Sequence, residues 1–292
     1  MKLGFHLNDF DWVGGAGRLG PTLAEIAHAG EEAGFDRIGV ADHFWRSHYM
    51  GSVDGPELEC YTTLGFLAAS TRRAKLTAMV TAATYRQPGL LAKIVTTLDV
   101  LSGGRAWLGI GAGDYEEEAV GLGLPFPPPK ERFEILDEAL RICLRMWDGE
   151  HGDDRPFAGA HFQLGRTLNV PQSLTRPHPP ILLGGSGPKT LRLVARYGDA
   201  CNVRPGPDIP QKLELLRQFC DEERRDYDAI EKTAPFAFDV GPSGEKVSEL
   251  LGRLRWLAGM GIQTVIGFVV GIDQITPLAI LGREVIPAVA EL

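Results

Sequence analysis

Asp42 and His43 stand just past the apolar run Ile38 to Ala41 in the stretch DRIGVADHFWRSHY. Such a run reads as a buried strand. Titratable groups at its carboxyl end suit proton transfer better than packing. A histidine changes charge near neutrality and serves as general acid or base. Other apolar runs also end in groups with chemical potential. The first closes on His6-Leu7-Asn8, where alternation aims His6 and Asn8 the same way. The third closes on Thr81-Ala82-Ala83-Thr84, followed by Tyr85, Arg86 and Pro88. The fourth ends in GIGAGD, Gly109 to Asp114, the fifth in GGSG, Gly184 to Gly187, and the sixth in NVRPG, Asn202 to Gly206.

These endings differ in what they specify. GGSG precedes the helical PKTLRLVARYG, so free backbone amides and a helix dipole there suit a phosphate. GIGAG has only two glycines of the dinucleotide fingerprint, and Asp114 holds the third place. DYEEE after it reads as acids favouring a helix N-terminus. His48 reads as a loop residue.

The elements that must position these groups alternate along the chain. KLGFHL, DRIGVA, AKLTAMVTAAT, RAWLGI, PILLGG, DACNV, APFAFDV and IQTVIGFVV read as strands, each followed by helical periodicity. TLAEIAHAGEEAGF places Leu23, Ile26, Ala27 and Gly30 on one face. The helix from Pro88 ends at Gly103-Gly104. The helix from about Lys130 to Trp147 puts Phe133, Leu136, Leu140, Cys143 and Trp147 on a stripe expected to be core. A final helix is expected from about Ile275 to Glu291. The rhythm breaks between Asp148 and Pro180, where AGAHFQLGRTLNVP alternates like a hairpin. The expected architecture is α/β, a (β/α)8 TIM barrel spanning 1–292 as a single domain, with an insertion at about 148–180. In that fold the strand ends form the active site.

Composition narrows the function. The chain has 292 residues, with 30 Lys+Arg against 38 Asp+Glu, which argues against a nucleic-acid surface. Cys60, Cys143, Cys201 and Cys220 show no paired spacing and read as reduced thiols of a cytoplasmic protein. No apolar stretch approaches the ~20 residues of a membrane span, and the opening KLGFHL reads as a strand rather than a leader.

ADHF, TAATYRQPGLLAKIVTTLDVLSGGRAWLGIGAG, PFPPPKERFEILDEALRICLRMW and RPHPPILLGGSGPKTLRLVARYGDACNV together resemble the bacterial luciferase-like superfamily. The branch they look most like is the oxidoreductases that use the deazaflavin coenzyme F420. The resemblance covers nearly the whole chain. It implies a barrel, usually dimeric, that holds the cofactor ring at the carboxyl ends of the strands and acts on a small-molecule substrate. By position, Asp42 and His43 would lie beside the reactive carbon of the ring. Thr81 to Thr84 would carry a non-prolyl cis peptide against its back face, with Ala82 and Ala83 small enough for close approach. Gly111, Ala112 and Gly113 would line the ring or ribityl chain, and Gly184, Gly185, Ser186, Gly187 and Arg204 would hold the phosphate.

Under this resemblance His43 is the expected proton donor or acceptor, or stabilises charge on the ring. Asp42 would orient it or bind cofactor hydroxyls. Asp114 would be a second acid at the substrate side, where close relatives commonly have tryptophan and the sugar-phosphate dehydrogenases an acid. Arg86, Lys189 and Arg204 are candidate partners for the acidic tail of F420. The loop Phe44 to Glu59 and the insertion are expected to cover the site, and Phe44, Trp45, Tyr49, Tyr115 and Phe126 point to an apolar or planar substrate. The alternatives are an FMN-dependent monooxygenase on the same barrel, although ADHF differs from the EHH of luciferases, a metal-dependent hydrolase using His6, Asp42, His43 and His48, and a non-catalytic cofactor carrier.

Overall fold

The computed structural model describes residues 1–47 and 50–292, so His48 and Tyr49 lie outside the described residues. Eight short, largely buried strands run parallel: β1 (Lys2–Leu7), β2 (Arg37–Val40), β3 (Lys75–Ala78), β4 (Ala106–Gly111), β5 (Ile181–Gly184), β6 (Ala200–Asn202), β7 (Glu231–Phe238) and β8 (Thr264–Val269). Each pairs with its neighbours in chain order, and β8 returns to β1 with Lys2 opposite Thr264, closing a barrel. Strands such as ILLG of β5 carry apolar residues on successive positions because both faces are covered, by barrel interior and by helices.

The surrounding helices are α1 (Ala16–Ala33), α2 (Cys60–Ser70), α3 (Pro88–Ser102), α4 (Glu116–Gly121), α5 (Pro129–Trp147), α6 (Pro188–Tyr197), α7 (Ile209–Glu223) and α8 (Val247–Gly259). α3 starts on Pro88 and stops at Gly103, whose φ of 75° only glycine adopts easily. The α5 stripe is core at Leu136, Leu140, Cys143 and Trp147, but Phe133 is half-buried and reaches a cavity at the strand ends.

The structure departs from the sequence expectations at four places. α1 begins at Ala16 rather than Thr22, with Pro21 inside it, because buried Leu19 extends the apolar face of Leu23 and Ile26 by one turn. The third strand is interrupted: the cis peptide lies at Met79–Val80, before the expected Thr81 to Thr84, and Thr81–Ala82 then pairs anew with β4. β7 starts at Glu231, which pairs with Ala200, ahead of the apolar run. The last helix is broken into Thr276–Ile280, a wide turn at Leu281–Val285, and Ile286–Val289.

The insertion forms a small hairpin, Phe157–Ala158 against Gln163–Leu164. Its 160–162 amides bond to the buried Glu138 carboxylate on α5. Farther on, the Leu174 and Thr175 amides bond to buried Asp99 of α3. The barrel interior is filled by Leu182, Ala200 and Ile266, with Met79, Val80 and Trp107 against them. Its amino-terminal end is closed by Arg37, which is 1% exposed, bonds Glu231 at 2.8 and 2.9 Å and Asp36 at 2.9 Å, and stacks on Trp107.

Candidate active site

The carboxyl ends of the strands open into a cavity of about 600 Å3. Asp42 and His43 reach it from the end of β2, Thr81 and Ala82 from beyond β3, and Gly111 to Asp114 from β4. Gly184, Gly185 and Ser186 enter from β5, and Asn202 and Arg204 from β6. Groups spread over 163 positions of sequence thus meet because each follows a barrel strand. Two expected members do not line the cavity: Ala83 is buried in the core, and Gly187 caps α6 behind the turn.

One wall is narrow. Val80 packs so close to Gly184 that a Cβ there would come within 2.7 Å of its side chain. Gly113, at φ 82°, brings its backbone against Ala82. Ala82, Gly111, Ala112, Gly113, Gly184 and Gly185 are the small residues of this lining, which suits close approach of a flat ring. At the other end, no side chain caps α6, so its first amides are free to meet an anion. Arg204 and Arg132 add positive charge there, and the buried Arg132 Nε has no protein partner. Arg132 was not among the expected residues. It stacks on Phe126 at 3.9 Å, and only the tertiary fold shows that its position in the first turn of α5 faces this cavity.

The acid–base groups are wired differently from expectation. Among the described residues, Asp42 and His43 bond to different partners. The buried Asp42 carboxylate accepts from Thr81 Oγ1 and from both terminal nitrogens of Arg86, with Nη2 at 3.0 Å. Arg86 continues to Glu59 at 2.7 Å, and these bonds raise its pKa although burial opposes. Arg86 is therefore an internal anchor rather than a basic group for an acidic tail. Lys189 lies over the Phe133 ring at 5.5 Å, outside this cavity.

Glu118 is the partner that His43 does have. Its side chain is fully buried, and Oε1 lies 3.3 Å from His43 Nδ1 and 2.5 Å from the Tyr85 hydroxyl. Oε2 accepts the amides of Phe44 and Trp45, each at 2.7 Å. Burial works to raise the Glu118 pKa, but the bonds from His43, Tyr85 and the Trp45 amide prevail and hold it below its ordinary value. Burial works to lower the pKa of His43; the bond and charge of Glu118, with the charges of Asp114 and Glu57, prevail and raise it. The result is an imidazole whose protonated form is favoured by its surroundings and whose ring lines the cavity. Glu118 is the third acid of a run that reads as helix-dipole charge. The signal that separates it is the helical face it shares with buried Ala119, whereas Glu116 and Glu117 are exposed.

The aromatic residues expected at the substrate serve the framework. Phe44 packs on Tyr85 at 5.3 Å, Tyr115 meets His43 edge-on at 5.5 Å, and Trp45 fills the space over Gly121. Tyr85 and Phe133 are the rings that line the cavity. The insertion contributes no residue to it; instead Arg176 and His178 reach the cavities at the amino-terminal side. His6 and Asn8 do share a face, but they line a separate pocket of about 260 Å3 away from Asp42 and His43. Among the described residues, no three His, Cys, Asp or Glu side chains gather where they could hold a metal ion. Among the described residues, no helix is long and apolar enough to cross a membrane.

Comparison with known proteins agrees with this geometry. The family profile described as luciferase-like monooxygenase matches residues 5–276. The F420-dependent glucose-6-phosphate dehydrogenase of Kineococcus radiotolerans is 31% identical over 252 residues, covering 83% of this chain and 70% of the relative. That of Gordonia bronchialis is 30% identical over 263 residues, covering 85% and 71%. An F420-dependent secondary alcohol dehydrogenase solved with an F420-acetone adduct superposes with a TM-score of 0.80 at 17% identity, covering 99% of this chain and 98% of that one. A monooxygenase from Streptomyces bottropensis gives the same TM-score at 20% identity, covering 98% and 99%. By profile, by relatives and by barrel, the chain belongs to the luciferase-like family.

Proposed function

We propose that this protein is an F420-dependent oxidoreductase that passes a hydride between the deazaflavin and a small organic substrate, with His43 managing the proton. The observation that carries this reading is the union, in one cavity, of a wall of small residues, a helix start free to meet an anion and an imidazole backed by a buried carboxylate. The residues present fit the cofactor. Ala82 and Gly111 to Gly113 would bound the ring, and Ser186, Arg204 and Arg132 with the α6 amides would hold the phosphate.

When bound, the deazaflavin supplies a two-electron hydride step. His43 gives or takes the accompanying proton at the exposed side of its ring, while Glu118 fixes its Nδ1 and supports its positive form. Asp42, neutralised by Arg86, shapes the wall beside it. Asp114 is exposed at the rim of the same cavity and belongs to the substrate side. The similarity to two F420-dependent dehydrogenases at 30% identity or more supports the cofactor assignment.

The same reading makes the protein a cytoplasmic homodimer. Its four cysteines are buried and free, as suits a reducing compartment. α3 carries exposed Leu90 and Leu101, and the insertion bonded to it through Lys93–Val170 and Asp99–Leu174 carries exposed Val170 and Leu174. That apolar face suits a second copy of the chain, and sedimentation of a monomer would contradict it.

The test is a fluorescence titration of the purified protein with F420 and, separately, with FMN, followed by oxygen uptake with reduced FMN. Tight binding of F420 with no oxygen uptake is expected. Preference for FMN with oxygen consumption would overturn the reading in favour of a monooxygenase.

A further inference from the structure

Tyr85 lines the carboxyl-end cavity and bonds to the acid–base pair, yet the proton chemistry assigned above gives it no part. Its hydroxyl donates to Glu118 Oε1 at 2.5 Å, the same oxygen that stands 3.3 Å from His43 Nδ1. The other oxygen, Oε2, accepts the amides of Phe44 and Trp45. The two side-chain partners of this fully buried carboxylate therefore share a single atom.

Tyr85 is fixed where it makes that bond. Its amide donates to the Ala82 carbonyl at 3.0 Å, and the next residue, Arg86, is anchored on Asp42 and Glu59. Its ring packs on Phe44 at 5.3 Å, and the Phe44 amide holds the opposite oxygen of the same carboxylate. Burial, together with the bond to Glu118, raises the pKa of the phenol, so Tyr85 stays a neutral donor near neutrality.

That donor decides which hydrogens the imidazole can carry. Burial alone favours a protonated Glu118. A protonated carboxyl would donate to Nδ1 and leave the hydrogen of a neutral imidazole on Nε2. The bonds from His43, Tyr85 and the Trp45 amide instead hold the Glu118 pKa below its ordinary value. An ionised carboxylate only accepts, so a neutral His43 faces it with Nδ1–H. Nε2 is then the bare nitrogen of a ring that lines the cavity.

We propose that Tyr85 is a positioning residue for the proton step: by donating to the Glu118 oxygen that His43 faces, it keeps that carboxylate an acceptor and directs the exchangeable proton of His43 to Nε2, on the cavity side. The proton of the reaction arrives at or leaves from Nε2, while the Nδ1 hydrogen stays toward Glu118. This role deepens the function proposed above and rests on it for the reaction that uses the proton.

The titratable groups around His43 come from several elements. Glu118 stands on α4, and Asp114 and Tyr115 lie on the turn between β4 and α4. Glu57, whose buried Oε1 has no partner, lies on the segment before α2, and the adjoining Asp42 is paired with Arg86. Tyr85 differs from these in sharing with His43 one oxygen of one acceptor. Removing its hydroxyl leaves the charge of Oε1 to His43 and tightens its hold on the imidazolium.

The experiment is ring-nitrogen NMR of isotope-labelled histidine in the unliganded protein, titrated across neutral pH. It compares wild type, Tyr85→Phe and Glu118→Gln, with the His43 signals assigned by their loss in His43→Asn. Above its midpoint, wild type should show hydrogen on Nδ1 and a bare Nε2. Tyr85→Phe keeps the ring against Phe44, and its midpoint should rise by roughly half a pH unit, about threefold in proton affinity, as the release of one hydrogen bond implies. Glu118→Gln should move the midpoint the opposite way and lose the preference for Nδ1–H. An unmoved midpoint in folded Tyr85→Phe would overturn the proposal, as would a neutral wild-type ring with its hydrogen on Nε2. If wild type binds no F420, the function proposed above fails, while the imidazole titration still decides the role of Tyr85.

Discussion

The two ends of the barrel are built from similar parts and do different things. Each has a cavity, about 560 Å3 at the amino-terminal end and about 600 Å3 at the carboxyl end. Each has an arginine between two carboxylates: the buried Arg37 with Asp36 and Glu231 below, the partly buried Arg86 with Asp42 and Glu59 above. Below, the network is closed by further bonds, with Lys75 on Asp36 and Thr264 on Glu231, and Arg37 lies on the Trp107 ring. Above, the arginine pair is only a foundation. Around it stand an imidazole with a raised pKa, a carboxyl with an unpartnered oxygen, and a helix start without a cap. Below, the charges are tied into one ion-pair network; above, titratable groups stand around an open cavity.

Substitutions at the two ends should separate these roles. His43→Asn should give the largest functional loss, with turnover falling by roughly 10²–10⁴-fold. F420 affinity and folding should stay near wild type, and full turnover in this variant would remove His43 from the mechanism. Arg37→Met and Arg86→Met should each cost about 3–5 kcal/mol of stability, because each removes the central cation of a two-carboxylate network. They should differ in one respect. Only Arg86→Met should weaken F420 binding, since Asp42 lines the carboxyl-end cavity, and equal loss of binding in both would erase the distinction.

The smallest effect concerns pH. Glu118 raises the pKa of His43, so their interaction contributes stability that is fully present below the unfolded histidine value of about 6.5 and is lost as pH rises through the folded value. Glu118→Gln should flatten the stability curve in that window and shift the pH–rate profile toward lower pH. Identical profiles for variant and wild type would dissociate the pair.

Much of this comparison is legible in the sequence, because the barrel is written locally. Short apolar runs with polar ends fix the strands, and the rule that sites lie at strand ends then points to Asp42, His43, Gly111 to Asp114 and Gly184 to Ser186 without coordinates. What escapes is pairing between side chains distant in sequence. Glu118 lies 75 positions from His43, and nothing in DYEEE distinguishes the inward acid except its helical face. Arg86, read as a candidate partner for an acidic tail, instead pairs with Asp42. Phe133 and Arg132 illustrate the same limit, since periodicity gives the apolar stripe of α5 but not the point where it overhangs the barrel mouth.

The most direct test of the central claim, that the carboxyl end alone is the cofactor end, is a side-by-side F420 titration of wild type, Ser186→Glu and Arg37→Met. A glutamate at Ser186 would set a negative charge at the α6 start where the phosphate is assigned. Affinity should fall at least tenfold in Ser186→Glu, about 1.4 kcal/mol, and hold in folded Arg37→Met. Unchanged binding in Ser186→Glu, or loss confined to Arg37→Met, would contradict the account.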